Sequence, residues 1–335
     1  MILTLVGLSQ GMLNDAVKRA RGVNADIWVK PPGTSAISFS SAGMNEKLVP
    51  FFRSQPHITE AAGMIIHPVG GVSTITGLDL DSFNAVSGGF TYLQGGPFQG
   101  PDDVIIDDWY ARQANKRLGD KINILNRDWR VCGIVEAGKL ARVVVPMRTL
   151  QDLTGNPGKL SQILLKLDNS ANTPAVIAAL KEQLPDYQIW SIEEFASMFS
   201  VNNVPGLKAF INVIIGLSIV VGFLVVSLTM YAAVLERTRE IGILKALGAS
   251  PGDVMTILVR ETLLLAAAGW VIGLLLTFAA IWAINTFVRA SLQAENVPAW
   301  WPVAAGIAVI AALLGAVYPG LRAARQDAIE ALAYE

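Results

Sequence analysis

Of the 335 residues, 52% are hydrophobic and only 16% charged, with a mean hydropathy of +0.45, which is too apolar for a wholly water-soluble chain. The net charge of -1 and a pI near 6.2 give no basic field of the kind that draws a protein onto nucleic acid, and that class of function is set aside. Cys132 is the single cysteine, so a domain outside the cytoplasm would fold without an internal disulfide, and in the apolar run 129–135 the thiol reads as a packing group.

The chain opens on an apolar stub, residues 2–8. Seven residues make only about 10 Å of helix against a hydrocarbon core of about 30 Å. No basic residue precedes the stub and no clear cleavage site follows it, so it does not fit a secretory signal. We therefore expect residues 1–13 to be the remnant of a first transmembrane helix that begins upstream of Met1.

Residues 14–200 have mixed, soluble character. Runs at 26–30, 72–76, 103–106, 121–125, 129–135, 142–145 and 162–167, bounded by Gly, Pro, Asn and Asp, predict short strands. Helices are predicted at 109–118, 175–184 and 192–199, so the segment is an α+β domain rather than a doubly wound sheet. Ser191 and Glu194 have the spacing of a capping box, which starts a stalk over 191–208 that feeds the first full span. Little here suggests catalysis. His57 and His67 stand ten apart with no metal-ligand spacing around them, and residues 155–159 lack the spacing of a phosphate loop and predict a turn. Asp102, Asp103, Asp107 and Asp108 are adjacent pairs whose members point to opposite faces of a strand, and they read as a solvated rim.

Three stretches of 27, 27 and 26 positions without Asp, Glu, Lys or Arg follow, giving spans at about 208–235, 262–288 and 299–320 within a membrane domain of 201–335. A charge at the bilayer centre costs about 2.5–3.5 kcal/mol on insertion scales, so such gaps are the signature of spanning helices. The loop 236–261 carries Arg237, Arg239, Lys245 and Arg260, and the tail 321–335 adds Arg322 and Arg325, whereas the loop after the second span has only Arg289. The positive-inside rule places loop and tail in the cytoplasm and residues 14–200 outside it. Trp300 and Trp301 suit the outer interface, and Gly269 with Gly273 forms a G-x-x-x-G pair, read first as helix packing within the chain and second as dimerisation.

Within the loop, residues 236–247 predict an amphipathic helix with Ile241, Leu244 and Gly248 near one stripe. Gly248 suits the position after its end, and Ser250, Pro251 and Asp253 then start a second helix leading into the next span. Small residues Gly242, Ala246, Gly248 and Ala249 permit close approach by a partner.

The string ERTREIGILKALGAS at 236–250 resembles the signature loop of MacB/FtsX-type permeases, which include the lipoprotein-releasing permeases. YPGLRAARQDAIEALAYE at 318–335 resembles that family's tail, with Ala328 in place of the usual Pro and Ala333 in place of a basic residue. The soluble segment is similar to the family's extracytoplasmic core more loosely, through Leu118-Gly-Asp-Lys-Ile122 and the strands after it.

The resemblance implies a permease half with one span before the external domain and three after, in a cytoplasmic (inner) membrane and surrounded by its lipids. It implies a homodimer or a heterodimer with a related permease, a separate cytoplasmic ABC ATPase that binds the ATP, and a periplasmic adaptor or outer-membrane component. No cofactor, metal or catalytic residue of its own is implied. Glu240, Ile241, Gly242, Ile243, Leu244, Lys245, Ala246, Leu247, Gly248 and Ala249 are then the ATPase-coupling residues, and ATP-driven motion would reach the external domain by mechanotransmission. Three classes stay open: an efflux or extraction permease, an FtsX-like regulator of an external cell-wall hydrolase, and, with no constellation to support it, a membrane-anchored enzyme.

Overall fold

The computed structural model describes residues 1–34, 43–70, 73–200, 203, 206–287 and 293–325. The chain divides into two compact units: one of 1–10, 206–283 and 294–335, the other of 11–205 and 284–293.

The first helix, α1 (Ile2–Gly22), runs unbroken for 21 residues, so the apolar stub is only its beginning. Val6, Leu13 and Ala20, spaced by seven, are buried along it. In the α+β unit there follow β1 (Ile27–Lys30), β2 (Met44–Asn45), α2 (Leu48–Arg53), β3 (Ile58–Gly70), β4 (Ser73–Leu78) and α3 (Leu80–Ser87). Next come β5 (Tyr92–Gly95), β6 (Asp103–Asp107), α4 (Asp108–Gln113), β7 (Lys121–Ile124), β8 (Arg127–Val135), β9 (Val143–Pro146) and α5 (Met147–Leu153). The unit closes with β10 (Lys159–Leu160), β11 (Gln162–Leu167), α6 (Thr173–Gln183), β12 (Gln188–Ser191) and α7 (Ile192–Met198).

Ten of these strands form one sheet in the order β12-β1-β11-β3-β4-β9-β6-β8-β5, with β7 also on β8. Among the described residues only β4–β9 and β6–β8 are parallel. A mostly antiparallel mixed sheet with a few short helices is the α+β arrangement expected. Both faces are covered. Ile27, Val29, Val104, Ile106, Ile163 and Leu165 enter one core, while their strand neighbours Trp28, Ile105 and Leu164 enter the other. Burial on both faces gives continuous apolar runs, which is why these strands could be read in the sequence. The predicted helix 109–118 is cut short at Gln113, because Asn115 turns the chain with a φ of 49°. Ser191 caps α7 as its spacing predicted: the Glu194 amide donates to Ser191 Oγ at 3.1 Å and the Ser191 amide to Glu194 Oε2 at 3.1 Å.

In the other unit, α8 (Leu207–Glu236), α9 (Thr238–Ala246), α10 (Pro251–Phe287) and α11 (Trp301–Arg325) follow one another. Among the described residues three helical segments, of 30, 37 and 28 residues, are long and apolar enough to cross a membrane. Leu224, Leu228, Leu264 and Leu276 stand more than half exposed on α8 and α10, apolar surface that water would penalise and a bilayer accepts. Loop residues 288–292, the tail 326–335 with Ala328 and Ala333, and four positions of the expected stalk lie outside the described residues.

The packing seam differs from the one the G-x-x-x-G pair suggested. Among the described residues a Cβ at Gly269 or Gly273 would meet nothing within 4 Å, so that pair makes no close contact with a described helix. The close contact is between α8 and α11. Ala311, Ala312, Gly315, Ala316, Pro319, Gly320, Ala323 and Ala324 are buried in turn along α11. A Cβ on Gly315 would fall 2.8 Å from the Phe223 carbonyl oxygen and 3.1 Å from the Ser227 amide nitrogen. Backbone meets backbone there, and neither can move aside. We expect Gly315→Leu to lower the thermal stability of the purified chain in detergent by about 1–3 kcal/mol, the range for overpacking, and Gly269→Leu to leave it unchanged. Equal melting of the two variants would remove the seam.

Candidate functional site

The α8–α10 loop is built from local signals. Thr238 opens α9 while its hydroxyl donates back to the carbonyls of Val234 and Leu235, at 3.0 and 2.9 Å, joining α9 tightly to the end of α8. At the far end Gly248, with a φ of 98°, takes the left-handed conformation. The Ala249 amide then reaches the Leu244 carbonyl and the Gly248 amide the Lys245 carbonyl, each at 3.0 Å, which is the Schellman pattern that satisfies a helix's last carbonyls. Two residues on, the Asp253 amide donates to Ser250 Oγ at 3.3 Å and the Ser250 amide to Asp253 Oδ2 at 2.9 Å, a reciprocal cap on α10 with Pro251 in its first turn.

This frame fixes which way each residue of α9 faces. Thr238, Ile241 and Gly242 are buried, and Ile241 joins Met230, Val234, Val254, Leu258, Ala316 and Ala323 in one apolar cluster. Lys245 Nζ donates to the Ala324 carbonyl at 2.7 Å, tying α9 to the end of α11, and Arg237 pairs with Glu261 at 3.1 Å. Ile243, Leu244 and Leu247 are respectively 45%, 41% and 81% exposed, with Glu240, Ala246 and Gly248 also exposed. Of the stripe expected to join Ile241, Leu244 and Gly248, the first two do lie on one side, lining a small cavity with Val254 and Leu258, Ile241 at its buried edge and Leu244 at its exposed one, while Gly248 is exposed at the turn. The residues not foreseen are Thr238, Arg237 and Glu261. Their only sequence signal is a position flanking the charge-free stretches.

The α+β unit holds a buried charge cluster where a solvated rim was expected. Asp107 and Arg142 are 4% and 3% exposed. Arg142 Nη2 donates to Asp15 Oδ2 at 2.9 Å, Nη1 lies 3.5 Å from Asp107 Oδ2, and the guanidinium sits 3.7 Å from the centre of the Trp109 ring. Arg19 Nε adds a second cation 3.0 Å from Asp15. Asp107 Oδ1 also accepts from the Tyr110 amide at 2.6 Å and so caps α4. Burial outweighs these partners and pushes the Asp107 carboxyl up to about 6. Asp103 is buried as well, but the amides of Gln99 and Gly100 and the Arg130 side chain hold its carboxyl below the usual range despite that burial. Burial raises the Cys132 thiol to about 11, so it is no ready nucleophile. His57 Nδ1 lies 2.9 Å from Asp168 Oδ2 in an exposed pair, and among the described residues no three His, Cys, Asp or Glu side chains gather as metal ligands.

Residues 1–183 match the family model of the MacB-like periplasmic core domain, and residues 212–328 that of the FtsX-like permease C-terminal domain. The chain belongs to the MacB/FtsX-type ABC transporter permease family. An ABC transporter permease of Methanocaldococcus jannaschii is 28% identical over 232 residues, covering 64% of this chain and 57% of that one. YknZ of Bacillus subtilis, also described as an ABC transporter permease, is 27% identical over 228 residues, covering 65% and 55%. The macrolide export ATP-binding/permease protein MacB of Escherichia coli K12 is 24% identical over 311 residues, covering 84% and 46%. The chain spans about half the length of the curated relatives it matches. In this MacB/FtsX-type permease the periplasmic core match falls on the α+β unit and α1, and the FtsX-like match on α8 to α11.

Proposed function

We propose that this chain is the membrane-embedded permease of an ABC system in a cytoplasmic membrane. A separate cytoplasmic ATPase docks on the α9 loop, and ATP hydrolysis there moves the periplasmic core domain to drive export or extraction of a substrate. The observation that carries this is the outward apolar face of Ile243, Leu244 and Leu247, held on a short helix that is pinned at both ends to membrane-capable helices. A plain connector needs no such face, because exposed leucine and isoleucine in water are disfavoured by about 1.5–3 kcal/mol each relative to burial. Pinning matters too. A push on α9 passes through the reciprocal cap at Ser250 and Asp253 into α10, and through Lys245 into the end of α11.

Single cysteines test both the side and the partner. A cysteine at Lys181, exposed on α6, should react with a membrane-impermeant maleimide on intact spheroplasts, and one at Leu247 only after permeabilisation. With a candidate partner ABC ATPase co-expressed, the Leu247 cysteine carrying a short photo-crosslinker should join to that ATPase. Labelling of Leu247 from outside would reverse the orientation and remove the docking site with it.

A further inference from the structure

A second site lies at one end of the core sheet, independent of the docking reading. β5 is the last strand there, and among the described residues it pairs with β8 alone. Tyr92 stands opposite Val135 and Gln94 opposite Ile134, so Leu93 is an extra residue in a bulge, and it is 54% exposed. Gln94 and Gly95 are exposed as well. The outer side of an edge strand is a row of open backbone N–H and C=O groups, and charged side chains are the usual guard against a further strand pairing with it. This edge has no such guard, since no Asp, Glu, Lys or Arg occurs between Asp81 and Asp102.

A groove of about 350 Å3 runs beside the edge. Leu93 and Gln94 form one bank, Arg112 of α4 with Lys116 and Arg117 of the following turn forms the other, and Ala111 and Ile134 form the floor. Gln94 and Ile134, opposite one another in the ladder, share the face on which α4 lies. Asp108 is the one carboxylate in the lining among the described residues, and it is already taken: Arg112 Nη1 donates to its Oδ2 at 2.6 Å and the Ala137 amide to its Oδ1 at 2.9 Å. Lys116 Nζ donates to the Lys121 carbonyl at 2.8 Å, and the Arg117 guanidinium has no partner among the described residues. An uncharged strand edge therefore stands next to two cations that no carboxylate of the groove neutralises.

We propose that the β5 edge binds an extended acidic peptide segment of a protein partner, its backbone continuing the sheet and its carboxylates meeting Lys116 and Arg117 across the groove. The mode is strand addition, in which main-chain hydrogen bonds supply affinity and alternate side chains supply choice. Successive side chains of a strand point to opposite faces, so carboxylates two positions apart, about 7 Å along the segment, would both face the groove. The positive groove speaks against a second copy of this chain as the occupant. Antiparallel pairing of β5 with another β5 about a two-fold axis would set the two grooves side by side on one face, with like charges together.

Fluorescence anisotropy on the full chain in a neutral maltoside detergent tests this. The probe is a labelled, end-capped peptide of eight residues alternating glutamate with threonine, and its counterpart has lysine for each glutamate. The glutamate peptide should bind saturably and more weakly as salt is raised, and the lysine peptide at least tenfold more weakly. N-methylation of alternate amides removes backbone donors without touching charge; of the two possible sets, the one that faces β5 should weaken the glutamate peptide at least tenfold. Lys116→Glu combined with Arg117→Glu should exchange the preference, losing the glutamate peptide and gaining the lysine one, a gain that misfolding cannot produce. Should that double variant fail to fold, Leu93→Glu places a charge on the exposed bulge and should weaken the glutamate peptide at least tenfold, whereas Lys181→Glu on α6 should leave it unchanged. The site is overturned by no saturable binding of the glutamate peptide up to about 1 mM, by equal affinity for the lysine peptide, by full affinity in both N-methylated sets, or by a Leu93→Glu chain that binds as wild type does.

Discussion

Replacing Arg142 by Met should be the most destabilising change in the α+β unit. The side chain is 3% exposed and lies between Asp15 and Asp107, each nine-tenths buried or more. Removing it leaves two carboxylates facing Arg19 alone, and breaking a buried ion pair from one side costs about 3–5 kcal/mol. For a unit of this size that is a fall in Tm of about 6–20 °C. The loss should also depend on pH, in a direction fixed by Asp107. Its folded pKa, about 6, stands above the ordinary carboxylate value because of burial, and Arg142 is one of the groups holding it down. A group with a raised folded pKa contributes stability that is full below its unfolded pKa and is lost as pH rises through the folded one. In Arg142→Met the folded pKa rises further, so the variant's deficit should be greatest at pH 8 and shrink as the pH falls towards 6, the variant's Asp107 taking up its proton first. Asp107→Asn in the same background should recover part of the loss at pH 8 while keeping the cap on α4. Thermal melts followed by tryptophan fluorescence at pH 5 and pH 8 measure all of this. A deficit equal at both pH values would mean that Asp107 is not the group left uncompensated.

That cluster also marks where the sequence stopped being legible. β1, β6, β9 and β11 stood out because burial on both faces makes their residues apolar in succession, and spanning helices stood out because lipid excludes charge. Asp15, Arg19, Asp107 and Arg142 are buried too, but their partners lie up to 127 positions away, and no local pattern distinguishes a buried charge from a solvated one. β3 was missed for a related reason. Its Ala61, Ala62 and Gly63 have little strand propensity and are there because the elements crossing β3 come close; a Cβ at Gly63 would lie 2.4 Å from a Leu160 methyl. In the membrane unit the G-x-x-x-G pair is a motif in search of a partner, whereas the seam that packs is a run of alanines and glycines every three to four residues on α11. Around α9 the end signals were plain, since a left-handed Gly248 and the Ser250 cap are properties of single residues. The facing of the helix between them was not, because nine residues hold too few turns for periodicity to choose between Ile241 and the exposed Ile243 and Leu247.

The structure changes how the docking face should be attacked. Gly248 is a poor target: at a φ of 98° any side chain strains the turn, so a loss of coupling there would not separate a lost contact from a distorted loop. Leu247 is the better one. It is 81% exposed among the described residues, and its backbone lies at φ -81° and ψ 1°, which any residue adopts. Leu247→Arg should therefore leave insertion and membrane level near wild type. Buried against the ATPase, a leucine contributes about 1.5–3 kcal/mol, and an arginine in its place must also be desolvated. A loss of about 2.8 kcal/mol already lowers affinity roughly a hundredfold. The variant should fail to co-purify with its ATPase and leave that ATPase without stimulation in proteoliposomes, and Ala246→Arg, one position back on the exposed side, should act in the same direction. Lys181→Glu, on α6, should change neither readout. If Leu247→Arg retains a fully stimulated ATPase in a stable complex, the apolar face of α9 is not where the ATPase sits, and the proposed docking on α9 falls.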